Sequence, residues 1–215
     1  MLINTQTPMR KVSDRMVVGL FAIALMAAAG CGGISSKRLK QIGAVVAVGI
    51  AAKLIYDMVV DYRSKQTNDE EQVVDRYLKE HGKLPQAPVL VNYESSITPG
   101  EVVSAGNEVS IQSKLEVVRG ASSRNVEIQE KVIIFDNDDN TKELKSLTKV
   151  VNQNTNNSGA FENAFTFKLP QGMPQGIYPV QTIVIVDGVP YQPVSSQMQL
   201  VDNEIQNSHR LLTSR

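Results

Sequence analysis

The chain has 215 residues, of which 42% are hydrophobic, so it is long and apolar enough for one domain of ordinary size with additional segments. Lys and Arg balance Asp and Glu at 22 each, and this neutrality gives no reason to expect a nucleic-acid partner, which normally requires a basic surface. The single cysteine excludes an intramolecular disulfide, and the low aromatic content without Trp argues against a surface that stacks on sugars or bases.

Residues 1–30 are organised like a bacterial signal peptide. Arg10, Lys11 and Arg15 are basic, an uncharged apolar run covers 16–29, and small residues follow. The apolar run is well short of the ~20 residues that a membrane-spanning helix needs. We therefore predict that residues 1–30 are removed from the mature chain.

The residues around the cysteine, Ala28-Ala29-Gly30-Cys31, resemble a lipobox, the cleavage motif of bacterial lipoproteins. In that family Leu is the commonest residue at the position of Ala28. The resemblance implies cleavage before Cys31, a diacylglycerol on its thiol, and acylation of the new amine by a fatty acid such as palmitate. Gly32 rather than Asp follows the cysteine, which in enteric bacteria implies an outer-membrane lipoprotein facing the periplasm; the inner membrane is the alternative location.

A second apolar stretch covers residues 42–60, and its smooth first half contains Gly43 and Gly49. Its second half contains Lys53 and Asp57, which would each cost several kcal/mol at the centre of a bilayer. We therefore expect a helix that lies against the membrane surface or packs on partner helices. A second membrane span is the alternative.

The spacing of charges describes the predicted anchor further. Lys53, Asp57 and Asp61 are four residues apart, which would place them on one face of a helix that covers 35–66. The basic group at 37–40 would lie beside anionic lipid headgroups. The predicted anchor thus comprises 31–66, with membrane lipid as its partner through Cys31 and this helix.

Residues 69–81 have the pattern of a further helix. Asn68 or Asp69 can cap its start, and Gly82 can end it. His81 falls in the last turn, where the helix dipole favours a cation, and no cysteine or second histidine lies nearby to suggest catalysis. We expect this helix and its linker, together 67–87, to space the following domain from the membrane.

From Pro88 onward, β-branched residues alternate with polar ones and turn signals recur. Seven segments show this pattern: 89–95, 108–118, 125–135, 142–151, 160–169, 176–186 and 193–201. We therefore predict a mainly β fold, an antiparallel sandwich of seven or more strands over 88–201, preceded by helices and followed by a polar tail over 202–215. The sandwich region carries eight basic and twelve acidic residues, a net charge of −4.

Two parts of this region resemble bacterial immunoglobulin-like or fibronectin-like domains. ITPGEVVSAGNEVSIQSKLEV is similar to their opening pair of strands, and LPQGMPQGIYPVQTIVIVDG to a late hairpin. The resemblance covers about residues 88–201 and implies architecture rather than activity, because sandwiches serve many functions.

A short acidic segment is the one candidate for a metal site. Asp136, Asp138 and Asn140 alternate as oxygen ligands do at the start of an EF-hand loop. The sixth position is Thr141 rather than Gly, and the twelfth is Leu147 rather than Glu. We interpret the segment as a solvated hairpin turn, with calcium as the weaker alternative. The polar stretch 151–159 is predicted to be a mobile loop.

The sequence contains no nucleophile, phosphate-loop or zinc-site motif, so we predict a protein that is not an enzyme and needs no cofactor. The predicted function is that of a lipid-anchored structural or protein-interaction component of the bacterial cell envelope, whose envelope protein partner the sequence does not identify. One alternative is a non-lipidated membrane subunit whose 42–60 helix packs in a multiprotein complex. The other is a calcium-binding adhesion module or an enzyme.

Overall fold

A computed structural model describes residues 52–201, which form a mainly β domain. The elements in chain order are β1 (Val60–Asn68), α1 (Glu70–His81), β2 (Val89–Thr98), β3 (Val102–Ser104), β4 (Glu108–Val118), β5 (Ile128–Phe135), β6 (Glu143–Val150), β7 (Gly159–Lys168), β8 (Gly176–Val186), β9 (Val189–Pro190) and β10 (Val194–Val201). All seven strands predicted downstream of Pro88 are present, which confirms the mainly β prediction.

The strands form two sheets. The smaller sheet has the order β1-β7-β4-β2 with every pair antiparallel. The larger has the order β3-β10-β8-β5-β6, with β9 paired to β8, and only its β3–β10 pair is parallel among the strands of residues 52–201. Side chains from both sheets share one apolar cluster, including Phe165 from β7 and Val180 from β8, so the sheets pack face to face as a sandwich.

The domain begins earlier than the sequence predicted. The helix expected over 35–66 is wrong for residues 60–66, which belong to β1 and pair with β7 in the register Val60 to Phe167. In this segment Tyr62 and Gln66 point to the interior and the charged residues between them point outward, which is the period of a strand. Asp61 therefore does not share a helical face with the preceding charges.

Residues 52–57 are helical, and the side chains of Leu54 and Ile55 pack on the core of the sandwich. Ile55 and Met58 are buried in the core beside β1. Lys53 and Asp57 remain exposed on the opposite side as an ion pair with 3.7 Å between Nζ and Oδ2. Lys145 of β6 donates hydrogen bonds from Nζ to the carbonyl oxygens of Tyr56 at 2.8 Å and Met58 at 2.6 Å, which holds this segment on the domain.

Helix α1 confirms the predicted helix and its cap, and it packs on the smaller sheet. Asp69 accepts a hydrogen bond from the Gln72 backbone N–H at 2.9 Å, and the Gln72 side chain accepts one from the Asp69 N–H, which completes a capping box. Val73 and Val74 are buried against Val118 and Ala160 of the smaller sheet. The segment 67–87 thus belongs to the domain. No helix within residues 52–201 combines the length and apolar character that crossing a bilayer requires.

Candidate functional site

A layer of polar side chains crosses the middle of the sandwich interior. On the smaller sheet, Asn163 and Ser113 are buried side by side, and the same row continues to half-buried Ser95 on β2 and to exposed Ser64 on β1. Glu130 and Thr182 face them from the larger sheet and are fully buried. We call these six residues the polar layer. It separates an apolar cluster around Phe165 from a second cluster around Phe161.

Glu130 is the hydrogen-bonding centre of the polar layer. Its Oε1 accepts from the Tyr93 hydroxyl at 2.8 Å, and its Oε2 accepts from the Ser113 hydroxyl at 2.9 Å and from Asn163 Nδ2 at 2.8 Å. Burial raises the pKa of Glu130 above its ordinary value, although these three donors act in the opposite direction. Burial and the nearby Glu130 carboxylate likewise raise the pKa of the Tyr93 hydroxyl.

A raised carboxyl pKa is a common property of catalytic acids, but the location of Glu130 argues for a structural role. Its side chain has no exposed surface, so no substrate can touch it in this conformation. The buried Oγ of Ser95 and Oδ1 of Asn163 have no hydrogen-bond partner among residues 52–201. The hydrogen-bonding groups of the polar layer are thus only partly paired. One of the unpaired groups, the Ser95 hydroxyl, lies on the edge strand β2.

The outer face of the smaller sheet is polar at the level of the polar layer. A depression of about 960 Å³ crosses all four strands at the level of the polar layer. One row on this face alternates in charge from edge to edge: Lys65 on β1, Glu162 on β7, Lys114 on β4 and Glu94 on β2. Lys114 and Glu162 form an ion pair of 3.1 Å. Such a face offers charge complementarity and unpaired strand edges rather than an apolar pocket.

The polar loop over 151–158, which the sequence predicts to be mobile, forms several hydrogen bonds with the rest of the domain. Asn152 is buried, and its Oδ1 accepts from the Ile128 N–H at 3.1 Å. Its Nδ2 donates to the carbonyl oxygens of Val126 and Asn157 at 2.6 and 2.9 Å. Ser158 donates from its hydroxyl to Glu70 of α1 at 2.9 Å. The loop therefore connects both sheets with the helix.

We expect Asn152→Ala to lower the free energy of unfolding by about 2–4 kcal/mol, because it removes the partner of two buried backbone groups and of the half-buried Asn157 carbonyl. Asn154 lies in the same loop but is exposed, so Asn154→Ala is the matched control. It should change the free energy of unfolding by less than ~0.5 kcal/mol. Urea unfolding followed by circular dichroism measures both. Equal, small effects of the two substitutions would show that the Asn152 contacts contribute nothing to stability.

The predicted site residues lie in different places. Cys31, its motif Ala28-Ala29-Gly30, and the helix residues Gly43 and Gly49 fall outside the described residues. Asp136 is buried in the β5–β6 turn, where Oδ1 accepts from the Asp138 N–H at 2.9 Å and Oδ2 pairs with Lys142 Nζ at 3.2 Å.

The hydrogen bonds of the β5–β6 turn occupy the carboxylate oxygens of Asp136 that a bound cation would need. Both carboxylate oxygens of Asp136 are bound to groups of the protein, while Asn140 is exposed. Within residues 52–201, no three His, Cys, Asp or Glu side chains are grouped as a metal ion would require. The observed contacts therefore support the interpretation of this segment as a turn.

Comparisons with known proteins return structures but no sequence family. No protein-family model and no curated protein matches the sequence. The solved structures that resemble the chain include a CARDB domain from Pyrococcus furiosus, described in complex with di-metal ions, at 13% identity over 55% of this chain and 93% of that chain, with a TM-score of 0.35.

Two further solved structures show a comparable similarity to this chain. One is the N-terminal domain of a Streptococcus gordonii adhesin, at 12% identity over 55% of this chain and 33% of that chain, with a TM-score of 0.34. The other is a cohesin module from a Clostridium perfringens family 33 glycoside hydrolase, at 8% identity over 56% of this chain and all of that chain, with a TM-score of 0.29. At these TM-scores the architecture rests on the strand pairing of the chain itself, which is that of a two-sheet, mainly antiparallel sandwich.

Proposed function

We propose that the chain is a lipid-anchored protein-interaction component of the bacterial envelope, with its sandwich in the periplasm. The observation that carries the interaction role is the smaller sheet, whose two edge strands β1 and β2 are each paired on one side only. Unpaired strand edges present backbone N–H and C=O groups that another strand can bind. The signal-peptide pattern and the lipobox-like motif support the anchoring part of the proposal.

The packing of the segment before β1 supports the proposed lipid anchor over a second membrane span. Because Ile55 and Met58 are packed in the sandwich, the uncharged apolar residues left for a membrane are 42–51. As a helix, this segment would be about 15 Å long. The hydrocarbon core of a bilayer is about 30 Å thick. A membrane-retained chain therefore needs another attachment, and the Cys31 thiol is the candidate that the sequence offers.

We expect the mature protein, purified from membranes, to lack residues 1–30 and to carry diacylglycerol and acyl chains on Cys31. Intact-mass spectrometry measures both changes. Cys31→Ser should keep residues 1–30 and gain no lipid mass. The double variant Cys31→Ser/Ser36→Cys is the matched control, since it keeps one thiol but moves it away from the motif, and it should also lack lipid. An uncut, unmodified N-terminus in the native protein would contradict the anchoring proposal.

A further inference from the structure

The four edge strands of the sandwich differ in how they are protected against pairing. In the larger sheet, β3 has three residues, and β6 points Lys145 and Lys149 toward the interior, opposite Ile134 and Glu130 of β5. Short edges and inward-pointing charges both prevent strand addition. The smaller sheet has longer edges, with nine residues in β1 and ten in β2. The open edges therefore belong to one sheet.

Strand β2 is the less protected of these two edges. Glu94 is its one charged residue. At its start, a bulge lies between Leu90 and Asn92, and the Leu90 N–H is bound by the Tyr191 hydroxyl at 3.1 Å. The segment 92–98 follows as regular strand, paired with β4 on one side and with no strand of residues 52–201 on the other. It is long enough to accept a full partner strand.

We propose, resting on the interaction role proposed above, that copies of this chain assemble head to tail, with β1 of one copy added to β2 of the next. The order β1-β7-β4-β2 is antiparallel throughout, so β1 of a second copy in the same orientation lies antiparallel to β2. In the register that places Lys65 of the second copy opposite Glu94, the charged row continues without a break from one copy to the next.

The inward-facing rows fit the same register. Ser64 of the added strand falls opposite Ser95, whose buried hydroxyl has no partner among residues 52–201. Tyr62 falls opposite Ile97 in the next row, which joins an aromatic and a β-branched side chain. Three of four consecutive rows are thus complementary in charge, hydrogen bonding or apolar character, and Arg63 faces Ser96 in the remaining one. Two β2 strands would not match in this way, because β2 contains no basic residue to face Glu94.

This arrangement is compatible with attachment to one membrane. Copies related by the proposed contact share one orientation, so their N-terminal segments leave the sheet at the same end, beside Val60. A heterologous contact of this kind produces a ring or an open row rather than a closed dimer. The partner that the edge recognises is therefore a second copy of this chain, anchored beside the first.

Cysteine crosslinking of the full chain in native membranes tests the register. In one copy Ser64 and Ser95 lie three strand spacings apart, about 14 Å, which is too far for an intramolecular disulfide. Across the proposed contact they face each other at about 5 Å between Cβ atoms. Ser64→Cys/Ser95→Cys should therefore give a ladder of dimers, trimers and larger species on oxidation, resolved by non-reducing electrophoresis.

The matched control is Thr67→Cys/Ser95→Cys, whose thiols lie on different faces of the sheet and should give no ladder. Adding Glu94→Lys to the ladder-forming variant should lower the yield about threefold to tenfold, since Lys65 would then face a like charge. Mass spectrometry of the bands should find this chain alone.

Four outcomes would overturn the inference: no ladder in native membranes, equal ladders from both double variants, a dimer from Ser95→Cys alone in equal yield, or bands that contain a different protein. The anchoring proposal would be contradicted by a different result. A chain found uncut and outside the membrane fraction would contradict the anchor, and concentrated purified full chain would still report on the ladder.

Discussion

A fragment that begins at Pro88, where the alternating pattern starts, should not fold, whereas a fragment that begins at Ala52 should fold. The shorter fragment lacks β1 and α1, and with them the buried side chains of Ile55, Met58 and Val73. Each such side chain contributes about 1.5–3 kcal/mol when fully buried. The sum, with the loss of eight register pairs between β1 and β7, is comparable to a typical total stability of about 5–15 kcal/mol.

Thermal unfolding by circular dichroism and size-exclusion chromatography measure this difference. The fragment from Ala52 should give one cooperative transition and elute as a folded species. The fragment from Pro88 should show no transition and should aggregate, because β7 becomes an unpaired edge that carries Phe165 and Phe167. Cooperative unfolding of the shorter fragment would show that β1 and α1 are additions to a self-sufficient sandwich.

Glu130→Leu should lower the free energy of unfolding by about 3 kcal/mol or more, because the donors on Tyr93, Ser113 and Asn163 lose their acceptor inside the core. Urea unfolding at neutral pH measures this loss. Glu101→Leu changes an exposed carboxylate instead and should stay within ~0.5 kcal/mol of the parent chain. If Glu130→Leu were stabilising, well-packed apolar contacts would outweigh the hydrogen bonds of the polar layer.

The same carboxyl predicts a pH dependence. The folded-state pKa of Glu130 is raised above its ordinary value of 4.5, so the folded state binds its proton more tightly than the unfolded state does. The stabilisation from this proton is fully present below about pH 4.5 and is lost as the pH rises through the raised pKa. Glu130→Gln, which resembles the protonated acid, should remove this part of the pH dependence. Urea unfolding at several pH values checks the difference between the two chains.

The sequence was sufficient to predict the strands downstream of Pro88 and the helix capped by Asp69, because both have strong local signals. Alternation identified the strands, and a capping residue followed by a glycine stop identified the helix. The register of strands and the order of the sheets could not be predicted, because they depend on residues far apart in the chain. Strand β1 was missed because the apolar run 42–60 continues a helical pattern to its first residue.

The polar layer left a signal in the sequence that alternation alone does not interpret. Glu130 has the same parity in its strand as Ile128 and Val132, so it occupies an inward position. Ser113 stands likewise between Ile111 and Leu115. Each residue could therefore be recognised as a polar side chain at a core position. The contact between these residues could not be predicted from the sequence, because it requires β2, β4 and β7 to be neighbours opposite β5.

The polar layer has a consequence for how accurately the two sheets are aligned. Apolar contacts are non-directional, so two uniformly apolar faces could slide along each other with little penalty. Hydrogen bonds have narrow ranges of distance and angle, and Glu130 accepts them from three strands of the opposite sheet. If one sheet shifted along the other by two residues, the Glu130 carboxyl would lie among apolar side chains that offer no hydrogen-bond donors. The polar layer therefore fixes the alignment of the two sheets along the strand direction. It thereby also fixes the positions of Glu94 and Lys65 along the two edge strands of the smaller sheet.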